Sequence, residues 1–325
     1  MMKRFLTAVL LLFPLLISAQ VRTERLLETG WKFTREDSQQ FSQIDYDDSG
    51  WQTVRIPHDW AIYGPFSINN DKQNVAITQD GQKEAMEHAG RTGGLPFVGP
   101  GWYRLEFVAP EYADGRSCRL IFDGAMSNAD VYINGEHAAF WPYGYNSFIV
   151  DATPYMKAGE TNQLAVRLEN YNESSRWYPG AGLYRNVHLV VTEDAHVPDW
   201  GTYVYTKKLG EGYALIETIV EFSFPKNKQF PDYRIVNVIY GPDGAILIQN
   251  SKAGTAYDGD IFRMESLVEN PQLWTPDTPY LYTLVSKVYE GDTLVDKVET
   301  RFGIRTIELR PDEGFFLNGV KTVFK

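Results

Sequence analysis

Along most of the chain, apolar and polar residues alternate in short runs bounded by Gly, Pro, Asn and Asp, and the spacing of a helix face is nearly absent. Alternation puts every second side chain on one face of an extended strand, so the chain reads as all-β. In the first half it predicts strands at Trp31–Thr34, Gln52–Ile56, Trp102–Val108, Ser117–Phe122, Ala129–Ile133, Asn146–Val150, Gln163–Leu168 and Asn186–Val191. Asn134-Gly135 supplies the positive φ angles of a tight hairpin after Val131 and Ile133. Eight strands with a long excursion between the second and third predict a jelly-roll sandwich, whose two sheets bury alternate residues against each other. The excursion, SINNDKQNVAITQDGQKEAMEHAGRTGG (67–94), is polar and Gly-flanked. It reads as a mobile lid or insertion with one helical turn near Lys83–His88.

From about Thr192 the composition shifts to the polar, Pro-containing link EDAHVPDWGT. A second series follows at hairpin spacing: YVYTKKL, YALIETIVEFSF, YRIVNVIYGPDGAILIQ, IFRMESL and LYTLVSKVYEGDTLVDKVET, with turns at Gly241-Pro242-Asp243-Gly244 and Gly291-Asp292. Seven or so short antiparallel strands are the signature of an immunoglobulin-like β-sandwich. The last stretch, FGIRTIELRPDEGFFLNGVKTVFK, holds one or two strands and a turn at Asn318-Gly319. The expected organisation is a leader at 1–19, a jelly roll at 20–194, an immunoglobulin-like sandwich at 195–303, and the start of a further unit at 304–325.

The leader changes the picture of the compartment. Lys3 and Arg4 precede an apolar run from Phe5 to Ile17 and the small residues Ser18 and Ala19, the pattern of a secretory signal cut after Ala19. That run is shorter than the roughly 18 to 20 residues that span a bilayer, and no later window is apolar enough to do so. Export to the periplasm or exterior of a bacterium is therefore expected, with no membrane span after cleavage. Cys118, the single cysteine, has no internal partner and reads as an inert buried thiol beside Leu120, Ile121 and Phe122. A net charge of −11 argues against a nucleic-acid partner. His58, His88, His137, His188 and His196 show no ligand spacing, and neither a CxxC or HExxH motif nor a phosphate-binding glycine loop occurs, so no metal or cofactor is expected.

Candidate chemistry concentrates in ENYNESSRWYPGAGLYRNV (169–187), which alternates with nothing although strands flank it. A sugar ring presents an apolar C–H face and a rim of hydroxyls; flat aromatic rings hold the first, and carboxylates, amides or guanidinium groups the second. Trp177, Tyr178 and Tyr184 can supply the rings, and Glu169, Asn170, Glu173, Arg176 and Arg185 the polar groups, with Gly180-Ala181-Gly182 letting the backbone turn closely beneath. The same rings and charges can instead cement the sandwich to a neighbouring domain. Arg185, next to a strand, fits an ion pair or a carbonyl cap.

WQTVRIPHDWAIYGPF, GGLPFVGPGWYRLEF, the hairpin around DGAMSNADVYINGE and ESSRWYPGAGLYRNVHLV resemble the sugar-binding domain of family-2 glycoside hydrolases, the β-galactosidase-like branch. ENPQLWTPDTPYLYTL and ETRFGIRTIE resemble that family's immunoglobulin-like domain and the entry to its barrel, and FFLNGVKTVFK is similar to the barrel's opening hairpin. The resemblance implies an O-glycosyl hydrolase of retaining mechanism, whose two catalytic glutamates lie on a (β/α)₈ barrel of on the order of 250 residues. Residues 304–325 are far too few for that barrel, so no catalytic residue is assigned and the chain alone is expected to be inactive. The implied partners are β-galactoside-type glycans and the missing barrel domain.

By the same resemblance, Glu169 and Asn170 occupy the place of an Asp-Asn that reaches substrate from outside the barrel, Glu169 being one methylene longer, and Arg176 and Trp177 belong to the matched SRWYPGAG core. Asp59 of PHDW is either a rim contact or a loop anchor accepting backbone N–H groups. Trp60 reads as core or interface, and Val98 replaces a sugar-contacting asparagine of some relatives. A stand-alone carbohydrate-binding module gripping glycans through Trp177 is the alternative.

Overall fold

The computed structural model describes residues 21–70, 72–88, 97–112, 115–171, 174, 178–223, 233–254 and 260–324. In chain order the first strands are β1 (Arg22–Leu26), β2 (Trp31–Thr34), β3 (Gln52–Val54), β4 (Gln73–Val75), β5 (Met86–His88), β6 (Pro100–Val108), β7 (Ser117–Phe122), β8 (Ala129–Ile133), β9 (Glu136–Trp141), β10 (Phe148–Asp151), β11 (Thr161–Glu169) and β12 (Val187–Thr192). All but β4 and β5, which pair with each other, form a four-stranded sheet, β1-β12-β7-β10, facing a six-stranded sheet, β3-β2-β6-β11-β8-β9. This is the jelly roll that the alternation predicts. Its core is the inner row of each strand: Leu164, Val166 and Leu168 from β11 meet Leu120, Phe122, Leu189 and Val191 from the opposite sheet, all essentially inaccessible.

The outer face of the six-stranded sheet is also covered. Phe41, Tyr46 and Trp51, on the segment between β2 and β3, pack over Trp102, Tyr132 and Ala165. Arg104 passes beneath that segment, donating to Gln43 O at 2.8 Å and pairing with Asp48 at 2.7 Å. A buried guanidinium thus satisfies carbonyls that a surface loop would otherwise leave in an apolar setting.

Two departures from the sequence reading stand out. β1 was not predicted, because its arginines and glutamate obscure the alternation; it pairs with β12 from Arg22↔Thr192 to Leu26↔His188. The helical turn expected near Lys83–His88 is replaced by β5, which pairs with β4 from Gln73↔His88 to Val75↔Met86, and the 3-10 turn of the excursion is at Thr78–Asp80. Glu84, Ala85 and Met86 favour helix, but so short a run cannot repay nucleation, whereas a hairpin partner supplies ladder hydrogen bonds at once. Residues 71 and 89–96 of the expected lid lie outside the described residues.

The second series comprises β13 (Thr202–Gly210), β14 (Tyr213–Glu221), β15 (Tyr233–Tyr240), β16 (Ile246–Ala253), β17 (Ile261–Glu269), β18 (Tyr282–Glu290) and β19 (Thr293–Phe302). Sheet β13-β14-β17 packs on sheet β16-β15-β18-β19 as an immunoglobulin-like sandwich. Its core has three storeys. Apolar residues fill both ends, with Val220, Ile235, Met264 and Val288 at one and Ile216, Ile239, Val268 and Leu284 at the other. Between them lie Thr218, Asn237 and Ser286, all buried and joined by bonds from Asn237 Nδ2 to Thr218 Oγ1 (2.9 Å) and from Ser286 Oγ to Asn237 Oδ1 (2.8 Å). After Phe302 come β20 (Ile307–Arg310), β21 (Gly314–Leu317) and β22 (Val320–Lys321), a small antiparallel meander. No helix among the described residues is long and apolar enough to cross a membrane.

Cys118 lies on β7 with no exposed surface. Burial pushes its thiol up to about 11, so it stays protonated and unreactive at neutral pH.

Candidate functional site

The chain leaves the six-stranded sheet at Glu169 and enters the other sheet at Val187, so the intervening loop spans one end of the sandwich. Its Gly-Ala-Gly run lies flat against that end. Gly180 and Gly182 have φ of 78° and 85°, and a Cβ at Gly182 would meet Tyr103 Oη at 2.3 Å and His58 O at 2.6 Å. Only glycine fits there. The backbone is pinned on both sides, by His58 N to Leu183 O (2.8 Å) and by the paired bonds between Met126 and Gly182 (2.9 and 3.0 Å).

Side-chain hydrogen bonds hold the loop from the rim. Asn170, buried, donates through Nδ2 to Gly180 O at 2.9 Å, while its own N–H donates to Gly99 O at 3.2 Å. Asp59 accepts the Ala61 N–H through Oδ1 at 3.0 Å, capping the 3-10 turn Trp60–Tyr63, and accepts the Tyr178 hydroxyl through Oδ2 at 2.7 Å. Burial, and then the adjacent Asp59 carboxylate, push the Tyr178 hydroxyl well above its usual range, so it keeps its proton and remains the donor. Tyr184 donates to Gly144 O at 2.7 Å, and Arg185 lies over the Tyr184 ring and caps Asp123 O at 3.5 Å. Trp60 is fully buried and stacked on Phe33 at 5.5 Å, a core residue.

Glu169 is placed differently. As the second residue after Arg167 on β11 it shares that residue's face, and the two form an ion pair at 2.8 Å. Arg167 is held in turn by Asp37, at 2.8 Å through Nε and 2.7 Å through Nη2, and Asp37 also accepts the Trp102 indole N–H at 2.8 Å. Asp59, Asn170 and Tyr178 are therefore brought together around Gly180, whereas Glu169 is drawn to an acid–base chain on the outer face. Arg176 and Trp177 lie outside the described residues.

The crevice between Phe97, Val98, Asn170 and Gly180 encloses only about 10 Å³, too little for a sugar ring. Open aromatic surface instead flanks it: Tyr63 is exposed and stacked on His58 at 6.0 Å, Tyr171 is exposed, and Tyr143 and Tyr145 pair at 5.5 Å. His58 is buried with Nδ1 2.7 Å from Tyr103 Oη; burial lowers its pKa, so the imidazole is neutral. The roles of Asp37 and Arg167 were missed by sequence reasoning, although the period-2 spacing of Arg167 and Glu169 was a signal for that pair. No group of three His, Cys, Asp or Glu side chains among the described residues is placed to hold a metal ion.

Two family profiles match the chain: "Glycosyl hydrolases family 2, sugar binding domain" over residues 25–193 and "Glycosyl hydrolases family 2" over residues 201–305. A Bacteroides ovatus β-galactosidase is 37% identical, covering 94% of this chain and 34% of its own length. A Formosa agariphila β-glucuronidase is 29% identical, covering 93% and 32%. Among solved structures, a family-2 member from Bacteroides cellulosilyticus superposes with a TM-score of 0.78 at 29% identity over 91% of this chain and 37% of that one. A β-glycosidase from Bacteroides vulgatus gives 0.77 at 28% over 92% and 36%. The chain spans about a third of the length of the curated relatives it matches. With one profile matching across the jelly roll, another across the immunoglobulin-like sandwich, and a relative at this identity, the chain belongs to glycosyl hydrolases family 2.

Proposed function

We propose that this chain is the sugar-binding and immunoglobulin-like portion of an exported family-2 hydrolase that cleaves β-galactosides by the retaining route, with a (β/α)₈ barrel as the partner that carries both catalytic glutamates. The leader 1–19 directs export, 20–194 and 195–303 are the two sandwiches, and 304–325 enter the barrel. The observation that carries this reading is the convergence of Asp59, Asn170 and Tyr178 on Gly180, which fixes a loop of aromatic and polar groups at one end of the jelly roll. Such a rim fits the substrate side of an active site whose chemistry lies elsewhere. Glu169, Asn170, Asp59, Arg176 and Trp177 are the substrate-contacting residues on this reading. Preference for galactoside over glucuronide is supported by the 37% identity to a β-galactosidase against 29% to the β-glucuronidase above.

A chimera tests this: these residues replace the matching segment of the Bacteroides ovatus β-galactosidase, and hydrolysis of chromogenic β-galactoside and β-glucuronide is measured. The chimera is expected to cleave the galactoside, the chain alone to cleave neither, and Glu169→Gln or Asp59→Asn to lower kcat/KM by about tenfold or more. A folded, active chimera indifferent to both substitutions would remove the rim from the active site.

A further inference from the structure

Nothing among the described residues accounts for the conformation of Trp200. It occupies the third position of the turn Pro198–Gly201, closed by Gly201 N to Pro198 O at 2.8 Å, with φ of +61°. A bulky aromatic in the left-handed region is an outlier, disfavoured by on the order of 1 kcal/mol or more. Burial does not compensate: the residue is 64% exposed, and no hydrogen bond or ring contact to it occurs among the described residues. The turn is nevertheless rigidly held, because its second residue, Asp199, is clamped by Arg22 of β1 and Arg119 of β7. Strain that is maintained and not repaid by any contact among the described residues points to a use.

The ring lines a groove of about 570 Å³ between the two sandwiches, within the size range of small-ligand sites. On one wall His188 stands between two carboxylates, Nδ1 3.0 Å from Glu24 and Nε2 3.1 Å from Asp123. Each carboxylate meets the imidazole through one oxygen, and the second oxygen of each has no hydrogen-bond partner among the described residues. The opposite wall is the edge strand β19, where Glu299 and Arg301, two apart, lie on one face. Glu299 pairs with Lys297 at 2.6 Å, and Arg301 has no ion-pair or hydrogen-bond partner among the described residues. An exposed indole face with acceptors and a guanidinium donor around it suits a pyranose: the ring stacks on the C–H face while carboxylates accept hydroxyl protons. Four carboxylates (Glu24, Asp123, Asp199 and Glu299) line the groove against two guanidinium groups (Arg22 and Arg301), a negative balance that disfavours an acidic sugar.

We propose that this groove is a second saccharide site, selective for neutral pyranose units, with Trp200 as its platform. It shares no lining residue with the Asp59–Asn170–Tyr178 cluster, so it stands or falls independently of the function proposed above. The hydrolase would hold a neighbouring segment of a neutral glycan there.

Isothermal titration of the purified chain with galactose, lactose, cellobiose and galacturonic acid tests it. Saturable binding of a neutral sugar is expected, with galacturonic acid weaker by about tenfold or more. Trp200→Gly should weaken the neutral sugar by a similar factor while leaving thermal stability unchanged or raised, since glycine is at ease at this φ. Asp59→Asn should leave this binding as it was. The proposal is overturned if no neutral sugar binds saturably, if galacturonic acid binds as tightly, or if Trp200→Gly binds like the parent chain. It is equally overturned if Trp200→Gly lowers the melting temperature, which would make the ring a packing element, or if binding is lost in Asp59→Asn, which would place it at the jelly-roll rim.

Discussion

Individual residues in this molecule take their properties from burial more than from sequence neighbours. His58 beside the Asp59 rim and His196 at the junction of the sandwiches are both buried, and for each desolvation is the largest influence and lowers the pKa. At His58, Asp59 opposes the shift and Arg35 reinforces it; at His196, Arg119 and Arg22 reinforce it, while Asp296 and a bond with the Asp194 carbonyl oppose it. A base whose folded pKa is depressed binds fewer protons when folded than when unfolded between the two pKa values, so stability rises with pH across that interval. The contribution is complete above the unfolded value, about 6.5, and is lost as pH falls from there through the folded values. Asp37, lowered chiefly by its bond with Arg167, adds a separate loss below about 3.9. Urea titrations should therefore show stability falling between pH 7.5 and pH 5.5, with a shallower slope in His58→Gln; equal slopes would show that His58 is not protonated differently on unfolding.

At the scale of elements, alternation was enough to locate most strands because each buries a single face, and a single buried face imposes period 2 on the sequence. The polar storey of the second sandwich was not read from the sequence: in YRIVNVIY the row of Ile235, Asn237 and Ile239 and the row of Val236 and Val238 are both apolar enough to be buried, so alternation left open which one faces the core. Nor could alternation show the partners of Asn237, since Thr218 and Ser286 lie on other strands. β1 escaped because its side chains serve ion pairs and not a core. The loop 169–187 stood out by composition as a candidate site, but the bond from Tyr178 to Asp59 joins segments that local pattern cannot connect. Gly182 tests whether that loop is positioned by its backbone. Gly182→Ala adds a methyl group into contact with Tyr103 and the His58 carbonyl at a positive φ, and is expected to destabilise the jelly roll by more than about 1 kcal/mol. In the chimera described above it should also lower kcat/KM; unchanged thermal stability would mean that the loop is free to shift.

The whole molecule is joined by a buried charge cluster that no local reading could assemble. Arg22 opens the first sandwich, and Asp296 lies on β19 of the second. Asp296 has no exposed surface and accepts Arg22 Nε at 3.0 Å, Arg22 Nη2 at 2.8 Å, Val197 N at 2.8 Å and Lys297 N at 2.8 Å. Arg22 also reaches Asp199 at 3.2 Å, which Arg119 binds from β7. Removing the cation while leaving the carboxylate strands a buried charge, a loss of about 3 to 5 kcal/mol, whereas replacing both partners by apolar groups is often close to neutral. Arg22→Met is accordingly expected to split a single calorimetric transition into two, one for each sandwich, and Arg22→Met with Asp296→Leu to restore most of the lost stability. Loss in the double variant equal to or larger than in Arg22→Met would show that the hydrogen bonds to Val197 and Lys297, and not the pairing of charges, join the sandwiches. Because the same Arg22 clamps the turn that presents Trp200, the split variant should also lose definition in the groove between them, so the rigidity of the seam and the geometry of the proposed saccharide site are set by one cluster.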